Sequence, residues 1–212
     1  MIQTLMAPEQ RLTLTNISWE HYETLLNLLG DRPLRFTYSH GTLELMILSF
    51  QHERYKKLLA RLVETLAEEW DIPLVGGGST TCKRQDLERG LEPDECFYSQ
   101  NAAAIQGKQR LDLRHDPPPD LALEIDITHR TLDRRTIYAA LGVGEVWEFD
   151  GQTLQFWQLV QGQYQEITTS HTFPRLTPDH LLPWILKAET LNDTALIRAF
   201  RQSLRSGTWE SG

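Results

Sequence analysis

Cysteine is scarce in this 212-residue chain, and its two, Cys82 and Cys96, form no CxxC and have no histidine at zinc-site spacing. That argues against a zinc centre, and two reduced thiols are expected. No apolar run approaches the roughly 20 residues of a membrane span. The opening stretch MIQTLMAPEQRLTLT lacks a basic segment followed by an apolar run. The expectation is a soluble, cytoplasmic protein with no membrane association. Repeats, low-complexity segments and composition breaks are absent as well, so residues 1–212 are expected to form a single domain. Basic excess is also missing. A formal net charge of −8 argues against a surface that binds nucleic acid everywhere, although a local basic rim around an acidic site depends on arrangement, not on the sum. Apolar residues at 40% are sufficient for an ordinary core.

The hydrophobic pattern gives a mixed α/β class. NISWEHYETLLNLLGD spaces Tyr22, Leu25, Leu26 and Leu29 as a helix, with Asn16 or Ser18 as cap and Gly30 as stop. LRFTYSHGTLELMIL alternates on both sides of His40-Gly41, which predicts a hairpin. In FQHERYKKLLARLVETLAEEWDI, Tyr55, Leu58, Leu59, Leu62, Val63 and Leu66 form one helical stripe. Short strands are expected near 74–75, 79–83 and 95–98. A long connection then ends in Pro117, Pro118 and Pro119. TLDRRTIYAALG reads as a helix with Thr131 as cap and Gly142 as end. GEVWEFDGQTLQFWQLVQGQYQEI reads as a three-strand meander turning at Asp150-Gly151 and Gln161-Gly162. Two helices close the chain. The last, with Leu196, Ala199 and Phe200 on one side, packs either on its own chain or on a second copy as a homodimer.

Between residues 50 and 150 the order is helix, strand, strand, strand, helix, strand. The last two strands, joined through a helix, are expected to be parallel. The stretch DLALEIDIT raises the chemical question. Leu121, Leu123, Ile125 and Ile127 alternate with Ala122, Glu124 and Asp126, so two successive carboxylates share one face of a strand, about 7 Å apart. That face is either solvated or lines a cleft. Upstream, Asp94 in LEPDECFY opens a strand that, if paired with the first, brings it about 5 Å from the other two acids. Three carboxylates so close stay ionised only around a cation; otherwise at least one takes up a proton. Mg²⁺ or Mn²⁺ suits such a set, since Mg²⁺ takes one or two carboxylates and completes its shell with water and substrate phosphate.

Pro93-Asp94 before one strand and Glu124-Ile125-Asp126 in the next resemble the PD-(D/E)XK nuclease superfamily, and within it the restriction-endonuclease family often called Uma-two. IYAALGVGEVWEFDG is similar to that family's helix, turn and strand ending in Trp and an acid. The likeness runs over about residues 18–190. It implies a restriction-endonuclease-like core at about 50–150, preceded by a helix and hairpin and followed by the meander and helices. It implies hydrolysis of DNA phosphodiester bonds, with Asp94 and Glu124 as metal ligands and Glu53 of QHERY as a further one. Asp126 stands where the superfamily places Lys, whose part is carried over to Arg134, with Arg135 and Lys83 as other candidates. An arginine can clamp phosphate but does not act as a general base. Arg130 is a further phosphate-binding candidate; Asp120 reads as a turn residue, and His52 and His129 take no role. The rival reading keeps the scaffold without catalysis, as a binding module.

Overall fold

His40 and Gly41 both take positive φ, 43° and 81°, the combination a two-residue hairpin needs to match strand twist. The computed structural model, which describes residues 10–29, 32–128 and 131–211, places them between β2 (Leu34–Ser39) and β3 (Thr42–Ile47). Ahead of the hairpin lie β1 (Gln10–Leu14) and α1 (Trp19–Leu29). Beyond it come α2 (Phe50–Glu69), β4 (Val75–Gly76), β5 (Cys82–Arg84), β6 (Arg89–Leu91), β7 (Glu95–Tyr98) and the short α3 (Ala102–Ile105). The chain continues through β8 (Leu121–Ile125), α4 (Arg134–Leu141), β9 (Glu145–Phe149), β10 (Leu154–Val160), β11 (Gln163–Ile167), α5 (Pro178–Leu186) and α6 (Asp193–Ser206). Among the described residues no helix is long and apolar enough to cross a membrane.

The strands form two sheets, ordered β1-β3-β2-β6-β5 and β11-β10-β9-β8-β7-β4. The second contains the expected core order, α2 followed by β4, β7, β8, α4 and β9. As expected, β8 and β9 pair in parallel, and β7 pairs antiparallel with β8. The 82–84 segment, expected as a core strand, instead joins the first sheet beside β6. Alternation of three residues cannot reveal which sheet a strand enters. β1 was not foreseen at all, although Arg11 to Leu14 alternate and pair along β3.

α2 places its apolar stripe on one face of the second sheet, where Leu58, Leu62 and Leu66 pack with Leu121, Leu123, Ile125 and Phe149. Ser49 caps it by accepting a hydrogen bond from the His52 amide at 3.1 Å, a contact worth about 1 kcal/mol. The opposite face is covered by α4, whose Ile137, Tyr138 and Leu141 meet Ala122 and Val146. All five residues of β8 are therefore buried. The solvated-face alternative for Glu124 is excluded.

α4 is capped by Asp133, which accepts from the Arg135 amide, and not by Thr131, whose own amide donates to Glu44. Gly142 ends it at φ 82°, as expected. The Gln161-Gly162 turn has positive φ at both residues, whereas the Asp150 connection is a four-residue loop in which the Asp150 carboxylate accepts from the amides of Gln152 and Thr153. α6 packs on its own chain, burying Leu196, Ile197, Phe200 and Leu204 in the same cluster as α2. Gly30, His129 and Arg130 lie outside the described residues.

Candidate active site

Register places two of the acids side by side. Glu124 of β8 is in register with Glu148 of β9, and paired residues point to one face. Asp94 precedes β7, whose ladder with β8 ends at Glu95 opposite Leu123. Asp94 and Glu124 are each 1% exposed. Asp94 Oδ2 accepts the Ile125 amide at 2.7 Å, which fixes the carboxylate against the strand carrying Glu124.

Each of these three acids meets a basic side chain. His52 Nε2 lies 2.9 Å from Asp94 Oδ1, both side chains being fully shielded from solvent. Arg134 donates to Glu124 Oε1 from Nη2 at 2.7 Å and from Nε at 3.1 Å. Arg135 Nε stands 3.9 Å from Glu148 Oε1. Arg134 also donates to Thr37 Oγ1 and to the Glu92 carbonyl, each at 2.6 Å, and so joins β2 of the first sheet to β8 of the second. The Tyr138 hydroxyl donates to the same Glu124 oxygen.

Burial works against a charged guanidinium, yet Glu124, Tyr138 and Asp94 together hold Arg134 above its ordinary range. Burial, and then the Glu124 charge, push the Tyr138 phenol upward, so it remains a hydrogen-bond donor at neutral pH. Repulsion at Glu124 is thus offset by the guanidinium of Arg134, a third possibility beside the metal ion and the proton uptake expected from the sequence.

The other expected residues lie further out. Asp126 follows the end of β8, is about a third exposed, and faces Arg11 Nη2 at 3.4 Å. Arg11 of β1 also donates to buried Glu44 at 3.2 Å and to Thr128 at 3.0 Å. Glu53 is on the first turn of α2. Its Oε2 meets Lys56 at 3.2 Å, and its shielded Oε1 has no hydrogen-bond partner among the described residues. Its neighbour His52 approaches Asp94. Lys83 belongs to the first sheet and pairs with Glu23 at 2.8 Å. Asp120 is structural, accepting from the Ser99 and Asn101 amides. A cavity of about 380 Å³ opens beside the acidic centre, lined by Asp126, Asp133, Arg134, Arg135 and Glu148 among others.

His52, Glu148, Arg11, Thr37 and Tyr138 were missed as site residues. Two left a trace: Tyr138 follows Arg134 by four on one helix, and His52 shares the apolar side of α2 with Tyr55 and Leu59. The others depend on contacts between distant segments.

The carboxylates of Asp94 and Glu124 are hard-oxygen donors of the kind that suits Mg²⁺ or Mn²⁺. Among the described residues no group of three or more His, Cys, Asp or Glu is arranged to hold an ion, so water or substrate oxygens would complete the shell.

The molecule is thus a mixed α/β protein with an acidic centre on the buried face of its central sheet, answered by histidine and arginine. The chain belongs to the Uma2 family, described as "Putative restriction endonuclease", whose model matches residues 19–190. A solved structure titled a "putative nuclease belonging to DUF820" from Anabaena variabilis ATCC 29413 is similar at 12% identity, covering 71% of this chain and 90% of that one with a TM-score of 0.49. Comparison with curated proteins finds no match.

Proposed function

We propose that this chain is an endonuclease that hydrolyses DNA phosphodiester bonds with the help of Mg²⁺ or Mn²⁺. The observation that supports it best is the hydrogen bond from the Ile125 amide to Asp94, which ties that acid to the strand carrying Glu124, near a cavity lined by Arg134 and Arg135. Family membership points to the same reaction class. Asp94 and Glu124 would hold the ion, which when bound acidifies a water and offsets charge on the phosphoryl oxygens. Asp126 and Glu53 are its further candidate ligands. The Ile125 amide and His52 keep Asp94 oriented. Arg134 holds Glu124 in a fixed orientation through its ion pair, and offers positive charge at the cavity wall.

Plasmid nicking with Mn²⁺, with Mg²⁺ and with chelator tests this reading on wild type, Asp94→Ala and Glu124→Ala. Metal-dependent nicking that both substitutions abolish is the expected result. An inactive wild type, or activity unchanged in both variants, overturns it. One observation favours the second reading, a non-catalytic binding or scaffold module. The donors of Arg134 are already engaged by Glu124, Thr37 and the Glu92 carbonyl, so the centre is closed by its own ion pair. A folded, inactive wild type that binds a partner without metal would be its signature.

A further inference from the structure

Two consecutive arginines open α4, and they have different fates. A cation in the first turn of a helix opposes the helix dipole, so neither is placed there for helix stability. Arg134 is accounted for by Glu124. Arg135 is not: its side chain is 36% exposed and, among the described residues, its guanidinium donates no hydrogen bond, the nearest acid oxygen being that of Glu148 at 3.9 Å. Its guanidinium instead lies over the Trp157 ring, 4.0 Å from the centroid. Trp157 is held rigidly, since β10 pairs on both sides and the ring packs against the cluster under α4. A guanidinium stacked on a ring keeps its in-plane N–H edges available, and those edges match two phosphate oxygens.

Arg135 also has a distinctive position. It lines the cavity beside the acidic centre and, on its other side, a larger one of about 710 Å³ between α4 and the β10–β11 turn. Asp133 shares both, but its carboxylate is committed to capping the helix. We propose that Arg135, braced on Trp157, contacts the phosphate backbone of the DNA substrate and guides the strand across these adjoining cavities toward the acidic centre. This rests on and deepens the nuclease reading, singling out Arg135 among the basic residues that the sequence offered for phosphate.

Binding of a short fluorescent DNA duplex, followed by anisotropy in EDTA across a salt series, tests this without cleavage. Arg135→Ala is expected to weaken binding roughly 5- to 10-fold at low salt and to reduce the slope of log affinity on log salt by about one. Arg135→Lys, which keeps the charge and loses the fork, should fall between, with the slope retained. Circular dichroism spectra and melting curves that match wild type would exclude a folding effect. Equal affinity and slope in Arg135→Ala overturn the proposal, and so does a loss that leaves the slope unchanged. No DNA binding by wild type overturns it too. The two readings separate cleanly. Metal-dependent nicking with Arg135-independent binding removes this inference alone, whereas Arg135-dependent binding without nicking removes only the hydrolytic assignment.

Discussion

Substituting Arg134 by methionine tests the electrostatic logic of the site most directly. At 2.7 Å and an effective dielectric of about 20, the attraction between Arg134 and Glu124 is about 6 kcal/mol before desolvation is counted. Removing both charges from water consumes much of that, so the intact pair contributes little net stability. Removing one partner is different, because it leaves Glu124 buried as an uncompensated charge and strands Thr37 and the Glu92 carbonyl. The expected loss is about 3–5 kcal/mol at pH 7, lowering the melting temperature by about 2–4 °C per kcal/mol for a chain of this size. In the variant no cation offsets the buried Glu124 carboxylate, and the loss shows as a lower urea midpoint. The double variant Arg134→Met with Glu124→Met should lose far less than the sum of the singles. Urea denaturation at pH 7 measures all three. A single-variant loss below about 1 kcal/mol, or strictly additive effects, would refute the reasoning.

Burial holds the Glu95 carboxyl above the ordinary range. A raised folded-state pKa means the native chain binds the extra proton, so wild-type stability declines as pH climbs through that value. Glu95→Gln should therefore melt higher than wild type at pH 8, with the difference vanishing in acid; melts at a pH series decide it, and a difference that grows toward low pH contradicts it. Burial also pushes the Cys82 thiol up to about 12 and raises Cys96 well above its usual value. Both thiols should resist maleimide in the native protein at pH 8 and react fully in urea; labelling of either without unfolding would be the contrary result.

Much of the centre was legible because its signals are local. The alternation of Leu121 to Ile125, the Pro93-Asp94 pair and the Gly142 stop fix β7, β8 and α4, and the helical crossover through α4 makes β8 and β9 parallel. What covers each face was not legible. Whether the Glu124 face was wet or lined a cleft stayed open until α4 was placed over it, and nothing local links Arg134 to Thr37, 97 positions away, which takes one of its donors. Glu53 came from the family likeness, and His52 was given no role; helix phase puts His52 on the buried stripe, where it reaches Asp94. The 79–83 segment read as a strand of the core, yet Cys82–Arg84 pairs with β6, and β6 with β2, so it belongs to the first sheet.

β1 has a consequence that reaches well beyond its five residues. Arg11 grips Asp126 and Thr128, 115 and 117 positions downstream, and Thr13 touches Thr131. The turn leaving the acidic strand is thereby buckled to the front of the chain. A change at Arg11 would slacken that turn, and an edge strand with no acid of its own has a say in how firmly the acidic centre is closed.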